Sequence, residues 1–516
     1  MLNLNLALAW KRLKEESQER GFIVLPYEYQ LIENNLSDWL GSIDNRLNSK
    51  EYKPSYAEIC DVPKGQYLIR PGAILTTEDL LVYYALAGSL FEYIYNQVEW
   101  AQYKIDCSNA LNIQEGSWIL DPYRGWDNFR TKSLSYIKTF PYVVVSDISC
   151  FFENIDHTTL LSNLKATQAP EEVIQLLGAC LGTWSQVPAR GLPQGCVPSD
   201  ILAKLYLNSV DKFLYNQGYK HCRYVDDFRI FCTSLTQAKQ AIVDLTKALR
   251  KKGLSLHSSK TKIYDAEQAT YDFAYIPNII NNVNEQIKAK KKEEVVEPSA
   301  PGSDIEDPID PKDAPIGIIK STFNDFFVEG KYDFNKTLYR FLLRRLREEK
   351  DDYAADHCTY ILSEHPEETH TVLKYFDSIE YPRALSIVSS FFCSEQTIYC
   401  YQNYQIIRWF NQKAFMPDNV LIDRIRKLAF NQAQPYYLRS TARNFISTYG
   451  DASDIEVLED ICKASHGLEQ SELICFLKNL EKGRRNSFFS RIEHNAQHNK
   501  SAIRIVKSGA LRAKRV

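Results

Sequence analysis

A chain of 516 residues with 44% hydrophobic and 25% charged residues is long enough for two or more domains and has the composition of an ordinary globular protein. No apolar run reaches the roughly 18 residues of a membrane-spanning helix, and a formal net charge of −3 argues against a groove built to grip a long nucleic acid duplex. The twelve cysteines include no CxxC pair and no histidine stands at finger spacing, so zinc is unsupported and free thiols in a reducing cytosol are expected.

The N-terminus, MLNLNLALAWKRLKEESQ, carries a short apolar patch with no basic region ahead of it, which predicts an amphipathic helix rather than a signal peptide. Residues 1–63 read as a helical segment. Further on, Tyr142 to Val145 reads as a buried strand that ends at Ser146-Asp147, followed by the helix-prone FFENIDH. A carboxylate at the carboxyl end of a buried strand points into the cleft where such folds place ligands. On its own the same aspartate reads more readily as a cap for the next helix.

Next comes ARGLPQGCVPSDILAKLYLNSVDKFL. Gly191, Pro193 and Gly195 mark a turn-rich loop in which backbone can approach a ligand, and Gln194 within it can donate and accept hydrogen bonds. Pro198 and Ser199-Asp200 open a helix with apolar positions at Leu202, Leu205, Val210 and Phe213. Alone, this would be a plain connection.

The run HCRYVDDFRIFCTS predicts a β-hairpin with Asp226 and Asp227 at its tight turn. Turn chemistry does not explain the apolar flanks, because a surface hairpin would alternate polar residues along one face. A hairpin tip bearing carboxylates, set beside a strand end bearing another, makes an oxygen-rich pocket suited to Mg²⁺. Two such ions clamp the attacking and leaving oxygens of a phosphoryl transfer, and their charge keeps adjacent carboxylates ionised. GLSLHSSKTKIYD supplies one more β-like run.

Residues 285–317, EQIKAKKKEEVVEPSAPGSDIEDPIDPKDAPIG, pass from a basic cluster into acids, Ser, Gly and prolines, and read as a linker or long loop. From 318 to 516 the pattern is almost wholly helical, with segments such as HTVLKYFDSI, LIDRIRKLAF and SELICFLKNLEK spaced at i, i+3, i+4 and i+7, as for helices packed in series. The last segment, NKSAIRIVKSGALRAKRV, is basic and reads as a solvated tail, with phosphate contact as the second reading.

Taken together, SDISCFFENIDH, RGLPQGCVPSDILAKLYL, RYVDDF and LSLHSSKTKI resemble, in order and spacing, the successive palm motifs of reverse transcriptases. GQYLIRPGAILTTEDLLVYYALAG and WDNFRTKSLSY are similar to the fingers motifs. The resemblance implies an α+β fold, with fingers and a ferredoxin-like palm over 64–284 and an all-α, HEAT-like helical-repeat domain behind the linker. It implies a nucleotidyltransferase in which Asp147 and Asp226 bind metal and the carbonyl of Ile148 completes the shell. Asp227 would support the site. Two Mg²⁺ ions are implied, with Mn²⁺ as a substitute. Phe152 would be the steric gate beneath the sugar that favours deoxynucleotides, although a core phenylalanine is the plainer reading. Gln194 and Gly195 would contact the incoming nucleotide, Lys260 would neutralise the pyrophosphate, and Arg130 would grip the triphosphate.

The helical array after the palm, with no RNase H, zinc-knuckle or HNH pattern, looks like the bacterial abortive-infection (Abi) reverse transcriptases within the defence-associated group. That likeness implies phage defence in the cytoplasm, a homo-oligomer, and untemplated synthesis of single-stranded DNA attached to a tyrosine of the protein. Tyr52, Tyr56 and Tyr67 lie upstream of the fingers motif, and the priming residue is not selected by sequence. Two rival readings stand beside this one: templated copying of a partner non-coding RNA, and a catalytically idle scaffold that binds a partner through its helices.

Overall fold

The structure is a computed structural model that describes residues 2–20, 27–65, 67–112, 118–119, 122–296, 315–330, 332–494 and 498–509. Two compact units divide the chain: Met1–Val24, Ser37–Ile59 and Gly72–Tyr275 form the first, and Leu25–Leu36, Cys60–Pro71 and Ile276–Val516 the second. Strands β1 (Glu58–Lys64) and β2 (Leu68–Ile74) form a separate two-stranded sheet.

The first unit is organised on a four-stranded antiparallel sheet of β3 (Tyr142–Asp147), β4 (Lys220–Tyr224), β5 (Asp227–Cys232) and β6 (Lys262–Asp265), in the order β4-β5-β3-β6. Helices connect β3 to β4 and β5 to β6, which gives the βαββαβ path of a ferredoxin-like sheet. Both faces are covered. Val143, Cys222 and Phe231 pack with Phe129 and Ile137 of the helix Pro122–Ile137 and with Ala269 and Phe273. The helices Val197–Asn216 and Leu235–Arg250 pack against the sheet as well. A sheet buried on both sides has no polar face to present, which explains the apolar flanks of Asp226-Asp227. Arg229 is tolerated in this core because its guanidinium lies 4.2 Å from the Phe129 ring centroid and 3.6 Å from that of Phe273. At the N-terminus the expected amphipathic helix forms over Leu6–Arg20, burying Leu6, Ala9, Trp10 and Leu13, and packs on the helix Thr77–Val98.

In the second unit the helices between Lys336 and Tyr449 pack on the next but one. Lys336–Glu348 meets Thr369–Phe376, which meets Cys400–Asn411, which meets Tyr436–Tyr449; the intervening Ala355–Glu364, Tyr381–Cys393 and Asn419–Phe430 form a second series. Side-chain caps at Asn335, Asp418 and Asp451 satisfy N-terminal amides that the first helical turn leaves open.

Two sequence readings are corrected. Residues 285–296, read as the start of a linker, continue the helix Ala266–Val296, because the basic and acidic run there has good helix propensity; residues 297–314 lie outside the described residues. The basic end is not simply a solvated tail. Asn499–Ser508 is a helix whose Ala502, Ile503, Ile505 and Val506 are buried, and it packs on the helix Gly467–Phe476; residues 510–516 lie outside the described residues. No described helix is long and apolar enough to cross a membrane.

Glu472, 2% exposed, accepts hydrogen bonds from Ser440 Oγ (2.6 Å) and Tyr436 OH (3.0 Å), while its Oε1 has no partner among the described residues. Burial pushes its carboxyl up to about 7, against the pull of the Ser440 bond. A raised folded value means that the folded chain holds a proton the unfolded chain has released. The stabilisation is therefore complete below the ordinary glutamate range and declines as pH rises to 7 and beyond. Glu472→Gln should remove its share of that slope, so the gap between thermal melts at pH 5 and pH 8 should be narrower in the variant than in the parent.

Candidate active site

β3 ends at Asp147, and its register places Asp147 directly opposite Asp227, the first residue of β5. Tyr224 pairs with Asp227 across the β4–β5 hairpin, so the two-residue loop is Val225-Asp226. The expected turn at Asp226-Asp227 is thus displaced by one residue: Asp226 alone occupies it, and Asp227 is already in the ladder. Val225 has φ 55°, the left-handed conformation that type II′ hairpins usually give to glycine. It costs a β-branched residue about 1–3 kcal/mol.

The result is a cluster in which one carboxylate oxygen from each of Asp147, Asp226 and Asp227 lies within 4.8 Å of the others. Like charges facing each other across a ladder are destabilising. Asp226 registers the conflict: burial, then the charges of Asp147 and Asp227, push its carboxyl up to about 7. Lys260 answers part of it. Its Nζ lies 2.6 Å from Asp147 Oδ2, and although burial draws the ammonium down, the Asp147 hydrogen bond and the neighbouring carboxylates raise its pKa. The segment before Lys260 is fixed to the end of β3: the Ser149 amide donates to the Ser255 carbonyl (2.9 Å), the His257 amide to the Asp147 carbonyl (2.7 Å). Three carboxylates against one ammonium leave a net negative site of hard oxygen donors, a fit for divalent cations. Ile148 follows, buried, with its backbone bridged to Leu256.

Phe151 and Phe152 leave the strand on a short 3₁₀ turn. Phe151 is core, at 3% exposure, and Phe152 is half-buried with its ring centroid 5.2 Å from that of Phe151. Phe152 borders a cavity shared with Asn109, Asp200 and Val225, the last of these the neighbour of Asp226 in the hairpin turn. The Gly-Pro-Gln-Gly loop is tied to the same place: the Leu192 amide donates to the Phe152 carbonyl (2.9 Å), the Gly191 amide to that of Ile155 (2.9 Å). Gly191 (φ 95°) and Gly195 (φ 97°) take conformations open to glycine. Gln194 is half-buried and Gly195 exposed. The loop hands over to the helix Val197–Asn216 through Ser199, whose hydroxyl donates to the Pro193 carbonyl (2.5 Å) and lies 2.9 Å from Tyr83 OH.

The structure therefore brings together Asp147, Asp226, Asp227 and Lys260, with Phe152 tied to the loop of Gln194. Arg130 instead makes its ion pair within its own helix, to Asp127 at 2.7 Å. Among the upstream tyrosines, Tyr52 is buried with its hydroxyl on Asp79, which sets it against priming; Tyr67 is bonded to Glu364, and Tyr56 is 87% exposed.

Sequence reasoning missed a buried ionic group behind the hairpin. Arg223, the first residue of RYVDDF, bonds Asp211 (Nη2–Oδ2 2.8 Å) and Asp106 (Nη2–Oδ2 3.0 Å) and donates from Nη1 to the Val225 carbonyl (2.8 Å). Lys204 Nζ reaches the same Asp106 Oδ2 at 2.6 Å and the Ser108 carbonyl at 2.5 Å. Burial would raise Asp106, yet Arg223 and Lys204 hold it down at about 2. The available signal was the charge at Lys204 and Asp211 inside the otherwise apolar run ILAKLYLNSVDKFL.

With this geometry established, residues 84–276 match the reverse transcriptase (RNA-dependent DNA polymerase) family. The match supports a reverse transcriptase family for that segment and a polymerase of the nucleotidyltransferase class. Among curated proteins there is no match. Among solved structures, telomerase from Candida tropicalis truncated from its C-terminal domain is similar at 11% identity and TM-score 0.31, over 50% of this chain and 54% of that one. Telomerase from Candida albicans in complex with a TWJ fragment of telomeric RNA is similar at 11% identity and TM-score 0.32, over 72% of this chain and 68% of that one. The chain thus spans about half the length of the first of these, and scores this low say nothing of what it binds or copies.

Two substitutions test the assignments. Phe152→Ala should admit ribonucleotides, read as a fall in the ratio of kcat/KM for deoxy- over ribonucleotides; an unchanged ratio in a folded variant would return the ring to the core. Lys260→Ala should lower kcat by about 10²-fold or more while moving KM little, as for a group acting on the transition state.

Proposed function

We propose that this chain is an antiphage DNA polymerase of reverse transcriptase type, of the bacterial abortive-infection kind, which links deoxynucleotides without a template and starts from a tyrosine hydroxyl of its own. The observation that carries the chemistry is the meeting of Asp147, Asp226 and Asp227 within 4.8 Å beside Lys260, inside the segment that matches the reverse transcriptase family. Asp147 and Asp226 would hold the metal, with the Ile148 carbonyl and Asp227 in support. Bound there, Mg²⁺ supplies Lewis acidity for the attacking hydroxyl and the departing pyrophosphate. Phe152 packs under the sugar, Gln194 and Gly195 meet the nucleotide, and Lys260 neutralises the leaving group. Arg130 keeps a triphosphate role only by leaving Asp127.

The untemplated, self-primed and defence parts of the reading are supported by the helical array that follows the palm and by the net charge of −3, since an enzyme that holds no long duplex needs few cations. A cytoplasmic homo-oligomer carrying covalently attached single-stranded DNA goes with it, and the helical array would be the HEAT-like repeat domain. Templated copying of an RNA is the second reading, favoured by the description of the matched family as RNA-dependent.

The test uses purified protein, Mg²⁺ and labelled deoxynucleotides with no primer or template, and Asp226→Ala as control. Label that migrates with the protein, is released as DNA by protease and is absent from the control is the expected result. Label that appears only when RNA template and primer are supplied would select the templated enzyme.

A further inference from the structure

The turn that carries Asp226 is not self-supporting. Val225 sits at φ 55°, a conformation that valine avoids, and the only other residue of the two-residue loop is Asp226 itself. Its carbonyl receives Arg223 Nη1 at 2.8 Å. The rest of that guanidinium is committed: Nε lies 3.2 Å from both Asp211 oxygens, and Nη2 bonds Asp211 and Asp106. The two aspartates are anchored in turn. Asp211 is on the helix Val197–Asn216, which also carries Lys204, and Asp106 precedes a backbone bond from the Cys107 amide to the Arg223 carbonyl (2.8 Å). Arg223, Asp211, Asp106 and Lys204 are all at most 5% exposed, so the cage is buried.

We propose that Arg223 is a positioning residue that sets the divalent-metal affinity of the carboxylate cluster, by holding the Val225 carbonyl so that Asp226 is presented opposite Asp147. This rests on the metal-site reading above. Lysine cannot replace it: an ammonium is a point charge with three donors, whereas here one planar group must span two carboxylates and a carbonyl. The charge balance of the cage is separate from that of the catalytic cluster. Two cations meet two anions in the cage, so removing the guanidinium's reach alters position more than local charge at Asp226.

The experiment is Mn²⁺ binding to the full chain, followed by the paramagnetic signal of the free ion without nucleotide, together with thermal unfolding. Arg223→Lys should weaken binding about tenfold, as loss of an outer support does at metal sites. Val225→Gly should bind within about twofold of the parent and melt no lower, because glycine takes a positive φ without strain. In the double variant, glycine should recover most of the lost affinity, since the turn no longer needs to be forced. Unchanged affinity in folded Arg223→Lys overturns the proposal, and so does a double variant that binds no better than Arg223→Lys. If Arg223→Lys does not fold, Asp106→Asn, which leaves Arg223 on Asp211, takes its place. A loss of about threefold, rescued by Val225→Gly, then supports the role, and no loss overturns it. A parent that binds Mn²⁺ no better than Asp226→Asn would instead remove the metal reading itself.

Discussion

The hairpin turn that carries Asp226 is bonded to a buried ionic core of four side chains. Arg223 and Lys204 balance Asp106 and Asp211 in the buried interior. Such a group earns little net stability, because desolvation offsets attraction, but losing one member strands a buried charge at about 3–5 kcal/mol. That asymmetry makes the core rigid. It ties β4 and the preceding helix Val197–Asn216 to the 105–109 segment, about a hundred positions earlier, and one of its bonds ends on the carbonyl of the turn that carries Asp226.

In front of it lies the opposite situation, a cluster left deliberately unbalanced. Asp147 and Asp227 face each other across a ladder with Asp226 beside them, and Lys260 is the one cation bonded to Asp147 among the described residues. The balanced core and the unbalanced cluster are adjacent parts of one design. Repulsion among the three carboxylates is what a divalent cation would relieve, and the turn that carries one of them is bonded to the balanced group behind it. The proton that Asp226 holds up to about pH 7 is the same conflict expressed as acid–base chemistry.

The sheet gives these groups their directions. Because helices cover both of its faces, its strands are largely apolar, the buried Arg229, Arg223 and His221 aside, and the three aspartates stand at the strand ends and the hairpin turn. β3 and the β4–β5 hairpin end at the same edge, where the 3₁₀ turn with Phe152 and the Gln194 loop also arrive through backbone bonds to each other. Chemistry is thereby confined to one rim of a sealed sandwich.

Much of this was legible in the chain itself. Asp147 at a strand end, the adjacent aspartates in an apolar run, the glycine–proline loop between them and the helical second half follow from local patterns: periodicity, turn chemistry and the cost of an unpaired charge. Those are short-range properties and survive without knowledge of the fold. Tertiary structure decided the remainder. The hairpin loop fell on Val225-Asp226 rather than Asp226-Asp227 because strand register is set by pairing across the sheet, not by the turn residues alone. The run at 285–296 became helix and the basic end packed its apolar side, since composition reports solubility and not which neighbour will cover a face. Arg223 read as one more charged residue beside a motif. Its role depends on Asp106 and Asp211, 117 and 12 positions away, and only folding brings those partners within hydrogen-bond reach.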